Sequence, residues 1–251
     1  MLLILSGEGT TDLGSCNTML GRCSEADFQP GPMAVLVDQS LSPRLGYSVL
    51  RETPAAVNFI SEAGLSEYER QLKDNRRGMV LPGKKGAKET AYFYKNAWAL
   101  GVLAHELEQA REDKGIAVLF RDCDGTRSAA SSLWQEKWDS MQRGFQRSGY
   151  PCGVPMLPKP KSEAWLLCAA KSSPYQNCAV LEELSGNDKS PKAVKDELDV
   201  AFGSHQSGQG LCDWLEANPF DTARARSMPS FAAFHDRLQE VMRCHVTLRR
   251  H

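Results

Sequence analysis

Apolar runs of five or six residues, each stopping on a turn that carries glycine or acid, constrain this chain more than any other feature. Met1-Leu-Leu-Ile-Leu5 gives way to Ser-Gly-Glu-Gly, Met33-Ala-Val-Leu-Val37 to Asp38, and Gly115-Ile-Ala-Val-Leu-Phe120 to Arg121-Asp-Cys-Asp-Gly-Thr126. A run without polar alternation reads as a strand buried on both faces, the kind that parallel sheets contain. A weaker fourth run, Tyr150–Leu157, carries prolines that suit an edge position.

Between these runs the hydrophobic period changes. Glu89–Asp113 places apolar residues at three-and-four spacing over many turns, and Ser131–Gly149 and Glu163–Lys171 read as helices in the same way. Strand and helix therefore alternate, which predicts an α/β fold: a parallel, Rossmann-like sheet covered on both faces. Residues 1–171 are expected to form this core. The stretch 14–88 is expected to be an insertion in it, with a polar part from Ser40 to Lys88 that holds one helix over Ala55–Asp74. Residues 172–251 read as a helical cap packed on the core, with helices over Lys192–Phe202 and Ser230–Cys244.

Charge and cysteine usage narrow the chemistry. A net charge of −1 argues against holding nucleic acid by overall charge, so a phosphate partner would have to meet a local patch. Eight cysteines form no CxxC pair and no signal peptide precedes them, which predicts reduced thiols and a cytoplasmic protein. No apolar run approaches the roughly 20 residues of a membrane span, so no membrane partner is expected. The five histidines show no ligand spacing, and no Gly-x-Ser-x-Gly elbow is present, so neither a zinc site nor a serine hydrolase is indicated.

Ligands of an open parallel sheet collect beyond the carboxyl ends of its strands. Acids stand at those ends here: Glu8 after the first run, Asp38 after the second, Asp122 and Asp124 after the third, with Glu163 opening the helix after the fourth. Residues two apart in extended chain point the same way, so Asp122 and Asp124 suit one cation, and hard oxygen donors suit Mg2+ or Mn2+. Taken singly, Asp12, Asp124 and Ser162 equally suit helix N-caps. Glycines on both sides of Glu8 allow a sharp turn there. The Gly- and Lys-rich segment Leu81–Thr90 opens the long helix, with Lys85, Lys88, Tyr92 and Lys95 on one face. That face reads equally as a phosphate grip or as a solvated basic surface. Arg121 and Lys161 are further candidates for phosphate contacts.

Ile4-Leu-Ser-Gly-Glu-Gly-Thr-Thr-Asp12 and Val118-Leu-Phe-Arg-Asp-Cys-Asp-Gly-Thr126 resemble the two signature motifs of the TOPRIM domain, a hydrophobic strand ending in Glu-Gly and a later one ending in Asp-x-Asp. Val154-Pro-Met-Leu-Pro-Lys-Pro-Lys-Ser-Glu-Ala-Trp-Leu-Leu167 and the Gly186–Pro191 turn resemble segments of TOPRIM-related proteins found near bacterial phage-defence genes, relatives of OLD-type nucleases. The resemblance covers about half the chain. It implies a Mg2+- or Mn2+-dependent nuclease that hydrolyses DNA or RNA in anti-phage defence, with catalytic Glu8, Asp122 and Asp124, to which the position of Glu163 at the same end of the sheet adds a fourth catalytic candidate. By the resemblance Glu8 would be the general acid/base and Asp122 and Asp124 would hold the metal; the acids at the strand ends add Glu8 itself as a ligand, with Asp12 a helix cap that has a secondary claim on the metal. No zinc ribbon or topoisomerase-like tyrosine context is recognisable, which sets primase and topoisomerase readings behind nuclease. The alternatives are a non-catalytic partner of a defence ATPase or other defence protein and a nucleotide-binding phosphotransferase, in each case with self-association into a homo-oligomer left open. More than a hundred residues separate Glu8 from Asp122, so the insertion must leave and rejoin the sheet.

Overall fold

The computed structural model describes residues 1–9, 11–16, 18, 21–24, 27–74, 88–123 and 131–248. The first strand, β1 (Leu2–Gly7), is buried along its whole length, as its unbroken apolar sequence requires. A short two-stranded antiparallel ribbon follows, formed by β2 (Gly14–Cys16) and β4 (Phe28–Pro30), with β3 (Arg22–Ser24) between them in sequence.

Met33–Val37 is where the structure first departs from the sequence reading. The segment lies in a helix, α1 (Pro32–Leu45), and not in a strand. Five apolar residues in a row fit a buried helix as well as a buried strand; Pro32 at the first helical turn and Gly46 in a left-handed C-cap decide for helix. Asp38 consequently stands at no strand end. It is buried and accepts from Ser48 Oγ (2.7 Å) and the Val49 and Leu50 amides (2.7 and 3.2 Å), so it anchors the start of α2 (Val49–Glu52).

The expected helix over Ala55–Asp74 is likewise corrected. It divides into a 3-10 turn at Pro54–Ala56, a strand β5 (Val57–Ser61) and a helix α3 (Glu62–Asp74). Strand β5 pairs in parallel with β1, Leu5 opposite Phe59 and Gly7 opposite Ser61, so the supposed insertion supplies an inner strand of the sheet. The long helix α4 (Lys88–Arg111) then delivers the chain to β6 (Gly115–Phe120), which pairs in parallel with the other side of β1. Helix α5 (Ser131–Ser148) packs along α4, and the edge strand β7 (Gly153–Met156) follows. The two helices approach closely where a side chain on Gly144 would meet Tyr94 O at 2.3 Å.

The sheet order is β3-β5-β1-β6-β7, mostly parallel, with β3 antiparallel to β5 at one edge. Helix α6 (Ser162–Ala170) comes next, then α7 (Val194–Phe202), α8 (Gly208–Ala217), α9 (Thr222–Ala225) and α10 (Pro229–Leu248). These late helices return to the core: α7 packs on α6, α8 on α1 and α10 on β7. Trp165, fully buried on α6, joins them through ring contacts with Phe231 and Phe234 and a 2.9 Å bond from its indole nitrogen to Ser230 Oγ. No helix among the described residues is long and apolar enough to cross a membrane.

The cysteines also correct an expectation. Cys16 pairs with Cys23, and Cys168 with Cys178, in disulfides, while Cys152, Cys212 and Cys244 are free thiols. Uniformly reduced thiols therefore do not describe this chain, and the argument from them for a cytoplasmic location falls away.

Candidate functional site

Strand order fixes where a ligand would meet this sheet. From β1 the chain goes to β5 on one side, and from there it crosses to β6 on the other, so the connections after β1 and β6 diverge. The crevice between the carboxyl ends of those two strands is the topological switch point, where doubly wound sheets bind ligands. Glu8 follows β1 and Asp122 follows β6, one on each side of it.

Four segments meet there. The Asp122 amide donates to Glu8 Oε1, which ties the two strand ends together. The Ser162 amide, at the first turn of α6, donates to Asp122 Oδ1 at 3.3 Å, and the Ser162 hydroxyl donates to Asp12 Oδ1 at 2.5 Å. Glu163 Oε2 lies 3.3 Å from the same hydroxyl. Ser162, itself buried, is thus the hub between α6, the β6 end and the loop after β1. Asp12 precedes β2 and not a helix, so it is no N-cap; the N-cap of α6 is Lys161, which makes no side-chain cap bond.

Electrostatics follow from crowding acids in a half-buried crevice. Burial raises the Glu8 carboxyl above the ordinary range, with Arg121 and the Asp122 amide opposing and Glu62 and Asp12 reinforcing. Burial likewise raises Glu163, helped by Asp12 and opposed by its own backbone amide and Lys161. Both groups therefore favour a proton or a nearby cation more than a solvated carboxylate does.

The phosphate-binding candidates divide. Arg121 is fully buried, donating from Nη1 to Phe120 O (2.6 Å) and from Nη2 to Asn96 Oδ1 (2.5 Å), with its guanidinium 5.6 Å from the Tyr92 ring centroid. Its charge acts on Glu8 from beneath the crevice. Lys161 is mostly buried and bonds Asp188 at 2.9 Å, beside Glu163. Lys95 is half-buried on α4, and among the described residues no hydrogen bond or ion pair joins it to the carboxylates. Lys85 and Asp124 lie outside the described residues, and so does the side chain of Lys88.

Two residues of this neighbourhood have no counterpart in the sequence reading. Glu62 follows β5 directly, next to Glu8 because Ser61 is opposite Gly7, and it accepts from the Tyr92 hydroxyl, whose pKa burial raises. The signal was the Val57–Ser61 run, hidden by its fusion with the helix after it. Lys137 is fully buried under Cys123, although its helix reads as amphipathic with basic residues outward.

The donor set contains oxygen alone, which suits Mg2+ or Mn2+ and not zinc. The Ser6 hydroxyl, next to the carboxyl end of β1, is fully buried without a hydrogen-bond partner among the described residues. Among the described residues, no three His, Cys, Asp or Glu side chains are grouped so as to hold an ion. A cleft of about 880 Å³ opens elsewhere, between α1 and α8, lined by Gln39, Tyr47, Arg51 and Glu216 and by none of these carboxylates.

Fold and site together define an α/β protein with an acidic crevice at the switch point of a mostly parallel sheet. No protein-family model, no curated protein and no solved structure matches the chain.

Proposed function

We propose that the protein is a Mg2+- or Mn2+-dependent phosphodiesterase of TOPRIM type that cleaves DNA or RNA, acting in bacterial anti-phage defence. The observation that carries this reading is the junction of Glu8, Asp122, Asp12 and Glu163 through Ser162 at the switch-point crevice. The motif resemblance supplies the reaction class, and the defence role rests on that resemblance alone.

In this reading Glu8 and Asp122, at the two strand ends, would hold the cation together with Asp124, the ligand that the resemblance implies, and Asp12 would have a secondary claim on it. When bound, a divalent cation polarises the scissile phosphate and lowers the pKa of an attacking water. The chain's own groups do the rest. Glu8 sits where burial lifts its carboxyl toward the working pH, the condition for a general acid/base. Glu163 has the same upward shift and stands at the N-terminal turn of α6, whose positive end favours an anionic phosphate. Lys161 supplies a cation at the rim, and Arg121 adds buried positive charge below.

The test is cleavage of supercoiled plasmid and of tRNA by the purified chain in Mg2+ or Mn2+, compared with Glu8→Gln. Cleavage that needs the cation and is lost in E8Q supports the reading; cleavage untouched by E8Q refutes it. Two other outcomes point to the alternatives. Co-purification with an ATPase and no metal uptake favours a regulatory subunit, and nucleotide-induced stabilisation that requires Lys88 favours a phosphotransferase.

A further inference from the structure

Lys137 is a lysine where packing alone would place a methionine or leucine. It lies on α5, fully buried, with its ammonium 5.1 Å from the centroid of the Phe93 ring. Taking an ammonium out of water costs several kcal/mol unless what it touches compensates. Its Nζ donates to the Cys123 carbonyl at 2.6 Å, in the peptide after Cys123 and so one residue beyond Asp122. On the strand side of the same segment, the buried Arg121 guanidinium donates to Phe120 O and Asn96 Oδ1. Two buried cations therefore hold the chain by the Phe120 and Cys123 carbonyls, two residues before and one residue after Asp122.

We propose that Lys137 is a positioning residue of the acidic crevice: by gripping the Cys123 carbonyl it anchors the backbone that follows Asp122 and so holds Asp122 in place to meet a divalent cation. Groups that orient metal ligands without touching the metal govern affinity because an unaimed ligand must be ordered at the moment of binding. The inference rests on the metal reading given above and adds to it a residue that binds no metal and no substrate.

The proposal has a sign that separates it from plain electrostatics. As a positive charge near the site, Lys137 repels a second cation, so deleting it would tighten metal binding. As a support, it pre-aligns a ligand, so deleting it loosens metal binding. The experiment is calorimetric titration of Mn2+ alone into the full chain, wild type against Lys137→Met, with melting curves to establish that each variant is folded. The expected result is Mn2+ affinity lower by roughly 10- to 100-fold in K137M, with partial recovery in Lys137→Arg. Affinity equal to or above wild type in folded K137M overturns the proposal. Should K137M fail to fold, Lys137→Gln carries the same sign test: its side chain is one bond shorter and neutral, so it too loses the grip along with the charge. Weaker Mn2+ binding by folded K137Q supports the proposal, and equal or tighter binding overturns it. Wild-type protein that takes up no Mn2+ removes the metal reading and this one together, whereas Mn2+ uptake by wild type with no loss in the variants removes this one alone.

Discussion

Ser162→Ala tests whether the crevice is assembled as described. Ser162 is 1% exposed, and its hydroxyl makes a 2.5 Å bond to Asp12 Oδ1, while its amide, which the substitution keeps, holds Asp122. A hydrogen bond to a carboxylate contributes about 1.5–3 kcal/mol, and Asp12 is only half-buried, so water recovers part of the loss and the lower end is expected. For a chain of this size about 1.5 kcal/mol corresponds to a fall in Tm of about 3–6 °C. Urea denaturation should show a lower midpoint with an unchanged slope, because the surface exposed on unfolding is the same. A double-mutant cycle with Asp12→Ala should then give a coupling of about 1 kcal/mol or more, since the two side chains share that bond. An unchanged midpoint, or energies that add within about 0.5 kcal/mol, would refute the claim that Ser162 ties α6 to the loop after β1.

Three further outcomes follow from the same contacts. Burial raises Glu8 and Glu163 above the ordinary value of 4.5, so in the metal-free protein the folded state binds more protons than the unfolded one. The stability this confers is full below about 4.5 and is lost as pH rises through the folded values, so in chelator the Tm of wild type should fall relative to E8Q and Glu163→Gln as pH rises above about 4.5. Asp38→Ala should cost about 2–3 kcal/mol by chemical denaturation, because it leaves the buried start of α2 without its acceptor, and should leave cleavage intact because Asp38 is remote from the crevice. Replacing Cys168 and Cys178 by alanine should lower stability by about 2–3 kcal/mol under oxidising conditions, as expected for a crosslink spanning 10 residues; equal stability with and without the pair would contradict the disulfide.

Much of this architecture was legible in the sequence wherever one period dominated. Runs such as Leu2–Leu5 and Ile116–Phe120 left no alternative to a buried strand once a glycine turn or an acid stopped them. The periodic stretch from Lys88 to Arg111 was long enough to be a helix and nothing else. Reading failed where a short run stood beside a stronger signal. Met33–Val37 is too short for its apolarity to distinguish strand from helix, and Pro32 was the deciding residue. Val57–Ser61 runs without a break into the amphipathic Glu62–Asp74, so the helical period absorbed the strand and hid Glu62 at its end.

The acids were legible in part for the same reason. Glu8 and Asp122 follow unambiguous strands, so their meeting could be expected from topology alone. Asp12 and Ser162 could not be paired from sequence, because their bond spans 150 positions and depends on how the first loop folds over α6. Lys137 was hidden by a rule that usually holds, that the basic residues of an amphipathic helix face water. The disulfides had no spacing motif to announce them, since Cys16–Cys23 and Cys168–Cys178 depend on which loops the fold brings together.

The central claim is that the crevice between the ends of β1 and β6 holds a divalent cation for phosphodiester hydrolysis. Anomalous diffraction from crystals soaked in Mn2+ tests it most directly. The account predicts a peak between the Glu8 and Asp122 carboxylates, absent from crystals of E8Q; soaked wild-type crystals with no peak there would contradict it.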